Sequence, residues 1–474
     1  MKIYDTLSES LKALPSSKRT IKLFVCGPTV YDYLHIGNMR TYLFFDFVVK
    51  YLRSKGIKIE YLQNITDVDD KIIEKAKKEK TSWKEIAKKF ERIYHENEKS
   101  LGITSVSKYA RATLYIKEIV DQVKRLLEKG FAYEIKKDGV YFDVPKFKDY
   151  GKLSKRKVES ADDGVSRIDE SINKKNKADF CLWKYSHTKN APKGNTNAST
   201  RIDKEPSWET SIGKGRPGWH IEDTAITEKY FGPQYDIHGA GVDLKFPHHE
   251  AEIAQQESVS GKKPLVKIWM HVGALLSNGQ KMSKSLKNFI TPNDFLKNYS
   301  PNVFRYMIFS HHYRSPMDYT DNLAQQAKTT IDRIQGLILK LNLPPKRGSL
   351  SENTNRLIID TQKKFESAMN DDFNTPKALA TIFEVINAAE KQFPLLHQAD
   401  ALKIRDFITK TFTIFGINFE VNQKIPAKIQ VLAKKRVALR SNKQFIQSDT
   451  LRNEIIGLGY NVEDTAFGPF IYKS

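Results

Sequence analysis

Three short stretches of this 474-residue chain set reactive side chains at spacings that suit chemistry. In the first, His35-Ile36-Gly37-Asn38 follows Cys26 by nine residues and opens an apolar run. A glycine at a helix start lets an anion approach closely, and the amino end of a helix favours phosphate. A histidine there can donate to phosphate oxygens, although a single His-x-Gly is more often only a turn. In the second, Lys281-Met282-Ser283-Lys284-Ser285, two lysines flank a small polar loop. Such a loop is rich in donors that suit a triphosphate or a departing pyrophosphate; the bland alternative is a solvated loop. In the third, FPHHEAEIAQQE, His248 and Glu252 are four residues apart on a predicted helix. That spacing puts both on one face, as a metal pair requires. The alternative is a helix-start histidine with a glutamate solvating the surface.

The surrounding pattern supplies elements to hold these groups. Thr20 to Val25 reads as a short buried strand, broken by Gly27 and Pro28. TYLFFDFVVKYL, within Asn38 to Ser54, reads as an apolar helix, and Ile57 to Gln63 as the next strand. Strand, turn, helix, strand is the βαβ unit of a parallel, doubly wound sheet. Ligands of such sheets sit at the carboxyl ends of strands, which is where Cys26 and His35 fall. Thr66 is expected to cap the following helix, with Asp67, Asp69 and Asp70 in its first turn. The segment 187–206 is polar and turn-rich and reads as a mobile surface loop. Five regions follow: 1–132 and 215–321 as two halves of a Rossmann-like α/β domain, 133–214 as an insertion splitting them, 322–420 as a helical bundle, and 421–474 as a small basic module. Asn374-Thr375-Pro376 marks a helix start within the bundle.

Composition narrows the class. A chain that is 40% hydrophobic and 28% charged is ordinary for a globular protein and too long for one core. The net charge of +22, from 78 Lys and Arg against 56 Asp and Glu, favours a polyanionic partner. A lysine-rich background is the competing explanation. No apolar run reaches 18 residues, and the start lacks a secretory pattern. With only two cysteines, Cys26 and Cys181, a disulfide framework is excluded and a reducing cytosol is expected.

HIGN followed by KMSKS resembles the paired signatures of the class I aminoacyl-tRNA synthetases. CGPTVYD, NITDVDDKI, YGKLS, GRPGWHIE, DIHGAGVDL, FPHHEAEIAQ and DDFNTP resemble, in order, those of the cysteinyl-tRNA synthetase family, across essentially the whole chain. The resemblance implies cysteine activation by ATP with Mg²⁺, transfer to tRNA(Cys), a monomer and a cytoplasmic location. It implies a zinc site with Cys26, His248 and Glu252 as ligands. The family's second cysteine ligand is here Asp223, in Trp219-His220-Ile221-Glu222-Asp223. Aspartate is a legitimate zinc ligand with the formal charge of a thiolate. It is harder than sulfur, so zinc remains the expectation with iron, cobalt and manganese as competitors. Cys181 reads as core packing.

The resemblance further implies His35, Gly37, Asn38, His238, Asp243, Lys281 and Lys284 around ATP, with His35, Asn38, Lys281 and Lys284 catalytic. Thr29 and Trp219 are implied in the amino-acid pocket. The tail resembles the family's anticodon-reading module, with Arg436, Arg440 and Arg452 able to bond and stack on unpaired bases around Phe445. Three departures stand out: Asn38 ends the HIGH-like motif, Lys287 replaces a glycine, and Phe470-Ile471-Tyr472 replaces a Trp-containing strand. A cysteine:amino-sugar ligase shares the activation step but lacks the basic tail. A non-catalytic RNA-binding paralogue would not need intact HIGN and KMSKS.

Overall fold

The computed structural model describes residues 1–15, 19–156, 171–186, 205–282, 286, 288–344 and 350–473. Two compact units result: residues 1–297 with 313–318, and residues 298–312 with 319–474.

The first unit is built on a five-stranded parallel sheet. A hairpin of β1 (Lys2–Asp5) and β2 (Ser10–Ala13) precedes it. The sheet strands are β3 (Ile21–Val25), β4 (Ile59–Ile65), β5 (Lys108–Arg111), β10 (Tyr235–Gly241) and β11 (Val266–Val272), in the order β11-β10-β3-β4-β5. The chain winds one way from β3 to β5 and resumes on the other side at β10. A crevice therefore opens at the carboxyl ends of β3 and β10, the switch point where such sheets bind ligands. Between β5 and β10 the chain forms a separate antiparallel sheet, β6 (Ala132–Ile135), β7 (Gly139–Phe142), β8 (Phe180–Tyr185) and β9 (Gly215–Pro217). This is the doubly wound α/β sheet split by an insertion that the sequence pattern predicts. Cys181 is fully buried in it against Ile135 and Tyr141, as expected of a packing residue.

Apolar pattern explains the central elements. β3 is almost wholly buried, which fits a strand covered on both faces. Helix α1 (Ile36–Ser54) buries Phe44, Phe45, Phe47, Val48 and Val49. Each such side chain contributes about 1.5–3 kcal/mol by leaving water. Helices α2 (Asp70–Glu79), α3 (Trp83–Ser100) and α4 (Ile116–Glu128) are amphipathic. Helices α5 (Ile221–Phe231) and α6 (Glu250–Ser260) are not; α6 buries every residue from Glu250 to Val259. The α2 cap differs from expectation. Asp69, not Thr66, is the N-cap and accepts from Lys71 N–H. Asp67 lies outside the helix and accepts from the Thr113 amide and hydroxyl. Asp67, two residues ahead of the N-cap, is bonded to the turn at Thr113 and not to the helix. The segment 187–204, most of the expected surface loop, lies outside the described residues.

In the second unit, helices Asp321–Lys340, Glu352–Asn370, Thr375–Gln392 and Gln398–Ile414 form the bundle. Asn374 caps the third of them, with Pro376 in its first turn. The basic module has two helices, Ala427–Ser441 and Phe445–Gly457, and a hairpin of Tyr460–Thr465 with Gly468–Lys473.

On α3, His95 lies between Glu91 and Glu98, and these carboxylates lift its pKa from 6.5 to about 9. A folded-state pKa above the unfolded one adds stability below pH 6.5 that is lost as pH rises through about 9. Denaturant midpoints of wild type and His95→Gln should differ most near pH 6 and converge above pH 9. Partial exposure of the ring keeps the difference small.

Candidate active site

Cys26 is the first residue beyond the carboxyl end of β3, and its N–H still donates to the Gly239 carbonyl of β10 at 3.1 Å. Its Sγ lies 3.1 Å from His238 Nε2, 3.3 Å from His249 Nε2 and 3.9 Å from Glu252 Oε1. Beside it, His248 Nε2 stands 2.9 Å from Glu252 Oε1 and 3.0 Å from Asp223 Oδ2. Asp223 comes from the first turn of α5 and Glu252 from that of α6. His248 is not on the regular helix. It lies in a wide π-type turn, Lys245–His249, leading into α6. The i, i+4 pair still meets, and such wide turns are frequent at functional sites. All four residues are 4% exposed or less.

The electrostatics of this pit suit a cation. Burial pushes the Cys26 thiol well above its ordinary pKa, and the carboxylates of Glu252 and Asp223 push it further. Burial also raises Glu252, which His248 partly offsets. Burial opposes charge on His248, but Glu252 and Asp223 outweigh it and raise its pKa. Asp223 Oδ1 is buried with no hydrogen-bond partner among the described residues, a costly state unless another group uses it. Among the described residues, the donor atoms of Cys26, Asp223, His248 and Glu252 lie within 4.8 Å of one another, as do those of Cys26, His238, His249 and Glu252. Sulfur, imidazole and carboxylate donors at this density fit a zinc-class ion.

A second layer of side chains orients these donors. His220 Nδ1 contacts His248 Nδ1 at 2.8 Å, and the half-buried Trp219 ring stacks on His248 with centroids 4.6 Å apart. Tyr235 hydroxyl meets His238 Nδ1 at 2.7 Å. His249 Nδ1 meets His271 Nε2 at 2.9 Å. The turn after Cys26 is held separately. Gly27 N–H donates to Asn64 Oδ1 at 2.5 Å, and Asn64 Nδ2 donates to the buried Glu222 at 3.1 Å. A Cβ on Gly27 would lie 1.7 Å from the Asn64 carbonyl oxygen, so only glycine fits. Thr29, half-buried in the same turn, bridges to Thr66 just past β4. Sequence reasoning missed His220, His249, His271, Tyr235, Asn64 and Glu222. Only the doubled histidine of FPHHE offered a local signal.

The nucleotide-type motifs meet at the same edge of the sheet. His35 is the N-cap of α1: its Nδ1 accepts from Asn38 N–H at 3.2 Å while Asn38 Oδ1 accepts from His35 N–H at 3.1 Å. This reciprocal capping box commits Nδ1 to the helix and leaves Nε2 free of that role. Gly37 makes room for it, since a Cβ there would lie 2.9 Å from the His35 ring. The His35 ring also packs edge-on against Phe289, just beyond the lysine loop. Lys281 Nζ lies 3.8 Å from Asp243, both exposed, and both act electrostatically on His35, whose pKa burial lowers. Lys284 lies outside the described residues. His238 is a correction. It is fully buried, stacked on Trp269 and turned to Cys26, so it faces the metal-type cluster.

Arg436 is a second correction. Its side chain is 3% exposed and makes a bidentate pair with Asp464, at 2.6 and 3.0 Å, so it clamps the C-terminal hairpin to its helix instead of facing an RNA. Arg440 shares Asp464 at 3.2 Å and lies over the Phe445 ring at 5.9 Å, while Arg452 is exposed.

The sequence model for "tRNA synthetases class I (C) catalytic domain" matches residues 12–329, and that for the DALR domain matches residues 364–420. The fold agrees: Mycobacterium tuberculosis methionyl-tRNA synthetase in complex with methionyl-adenylate superposes with a TM-score of 0.58 at 13% identity, covering 84% of this chain and 90% of that one. The sheet, the switch-point crevice and the paired motifs are those of a class I tRNA synthetase. The relatives narrow this further. The cysteine–tRNA ligase of Thermoplasma volcanium is 42% identical over 98% of both chains, and that of Thermococcus gammatolerans 40% identical over 99% of this chain and 98% of its own. The chain belongs to the cysteine–tRNA ligase family. No helix among the described residues is long and apolar enough to cross a membrane.

Arg436→Ala should lower unfolding stability by about 1–2 kcal/mol, the scale of a charge-assisted pair whose Asp464 partner is half-exposed. Arg452→Ala should leave denaturant midpoints unchanged. An Arg436→Ala protein as stable as wild type would remove the clamp.

Proposed function

We propose that this chain activates L-cysteine with ATP and passes the cysteinyl group to the terminal ribose of tRNA(Cys). The observation that carries the reading is the convergence of Cys26, Asp223, His248 and Glu252 beside the nucleotide motifs of one sheet edge. In the first step a carboxylate oxygen of cysteine attacks the α-phosphorus of ATP, and the α–β bridging bond breaks to release pyrophosphate. In the second step a ribose hydroxyl attacks the acyl carbon, and AMP leaves with the mixed-anhydride oxygen. No protein nucleophile is needed; positioning and charge stabilisation suffice.

His35 Nε2, held by the capping box, and Asn38 at the helix amino end meet the phosphates. Lys281 exchanges its Asp243 partner for the departing pyrophosphate, and Lys284 of the same loop joins it. Mg²⁺ accompanies the ATP phosphates. Trp219 and Thr29 line the amino-acid pocket. Cys26, Asp223, His248 and Glu252 would hold the metal. A zinc-class ion held by these residues would supply a centre that favours a thiolate over the far less acidic hydroxyl of serine. Asp223 makes this set harder than one with a second thiolate. Residues 322–420 and 421–474 are assigned to tRNA, with Arg440, Arg452 and Phe445 facing unpaired bases and Arg436 supporting them from beneath.

Amino-acid-dependent ATP–pyrophosphate exchange tests the reading. Cysteine should support exchange and methionine should not. Lys281→Ala should reduce the rate about 100-fold, the scale of losing one charge-stabilising donor. Asp223→Cys should raise the cysteine-over-serine ratio by about tenfold. Equal ratios in wild type and variant would exclude Asp223 from specificity. Tight tRNA binding with no exchange for any amino acid would overturn the catalytic reading.

A further inference from the structure

His238 and His249 have no task in the reaction above, yet both turn an Nε2 onto Cys26 Sγ, at 3.1 and 3.3 Å. Around a tetrahedral zinc with bonds of about 2.1 and 2.3 Å, sulfur and nitrogen ligands stand about 3.5 Å apart. The two contacts are close to that spacing. Both rings are also braced at their other nitrogen, as metal-binding histidines are: His238 Nδ1 by the Tyr235 hydroxyl and His249 Nδ1 by His271.

The bracing of His249 defines its tautomer. The Thr6 hydroxyl donates to the Trp269 carbonyl at 3.0 Å, so at 2.8 Å it accepts from His271 Nδ1–H. A neutral His271 then has a bare Nε2, which accepts from His249 Nδ1–H. His249 Nε2 therefore presents a lone pair to Cys26. A relay of three side chains ending on a backbone carbonyl holds a metal-ready nitrogen in a place without solvent.

Charge favours this set over its neighbour. Cys26, Asp223, His248 and Glu252 offer three anionic ligands and one neutral one, which leaves a buried negative charge around a divalent ion. Cys26, His238, His249 and Glu252 offer two of each and balance it. Burying net charge is the costlier arrangement. Softness points the same way, since a second imidazole suits zinc better than a second carboxylate.

We propose that Cys26, His238, His249 and Glu252 form a second seat for the same divalent ion, occupied in the substrate-free enzyme. The two seats share Cys26 and Glu252, so one ion occupies one or the other. The aspartate seat, beside Trp219, is the one that meets substrate. The inference rests on the reading of Cys26 as a metal ligand.

Zinc K-edge X-ray absorption on the full-length, substrate-free, zinc-loaded protein tests it. The expected wild-type shell is two imidazoles, one sulfur and one carboxylate oxygen. Asp223→Asn should keep that shell, with Zn²⁺ affinity within about threefold of wild type. His249→Gln should lose an imidazole and weaken Zn²⁺ binding by about tenfold or more. Asp223→Cys should move the ion to the other seat, with two sulfurs and one imidazole. A wild-type shell of one imidazole and two carboxylate oxygens would overturn the second seat and leave the proposed activity standing. So would affinity insensitive to His249→Gln but lost in Asp223→Asn. A two-imidazole shell without cysteine-dependent exchange would overturn the activity and not the seat. Failure of wild type to bind Zn²⁺ would overturn both seats. Should His249→Gln not fold, the wild-type and Asp223→Asn spectra decide alone.

Discussion

A thiol, several imidazoles and two carboxylates meet at the end of β3, where water does not reach. Left without a cation, that arrangement keeps Cys26 protonated and Glu252 raised, with one Asp223 oxygen unbonded. Several elements of the first unit converge on this point. β3 and β10 bring Cys26 and His238 together on one face of the sheet: His238 pairs with Phe24, and Cys26, two residues further on, projects from the same face. Helices α5 and α6 bring their first turns, with Asp223 and Glu252, to the same point. Helix α6 is buried on every side from Glu250 to Val259, and α5 is buried from Ile221 to Thr227, so the side chains there must be either apolar or bonded to something.

The same edge serves the nucleotide end. At the α1 amino end Ile36 N–H donates to the Ile290 carbonyl and Asn38 N–H to His35, and the capping box spends one His35 nitrogen on the helix while the other remains. Only a few residues separate the turn holding Cys26 from His35. Metal-type and phosphate-type chemistry are thus neighbours because one strand-to-helix connection carries both. Such economy follows from the switch-point geometry and asks nothing further of the fold.

Where the sequence reading and the structure part, burial is the reason. His238 in DIHGAGVDL looked like a nucleotide ligand, but its place inside β10 points it under the sheet edge, at Cys26. Arg436 looked like its neighbours Arg440 and Arg452; the helix turns it inward, onto Asp464, while Arg452 stays outside. Thr66 is the expected cap of α2, with Asp67 and Asp69 in its first turn, but the helix starts later and Asp69 caps it. Thr113, remote in sequence, donates to Asp67 and holds it outside the helix. Helix α6 gives no amphipathic signal because both its faces are covered, so EAEIAQQESVS announces a helix without saying which residues matter.

From the chain alone one could read whatever is local. The apolar run of β3, the helix start at His35 to Asn38 with its glycine, and the literal HIGN and KMSKS motifs all act within a few residues, where spacing and side-chain type determine the outcome. Family membership was legible for the same reason, since it rests on such strings in order. What only the tertiary structure decided is which donors surround Cys26. They come from positions 223, 238, 248, 249 and 252, and their braces from Thr6, Tyr235 and His271. No periodicity links residues that far apart; they meet because sheet register and helix packing close over them. Their protonation follows from that closure, since a buried imidazole takes the tautomer that its last hydrogen-bond partner allows.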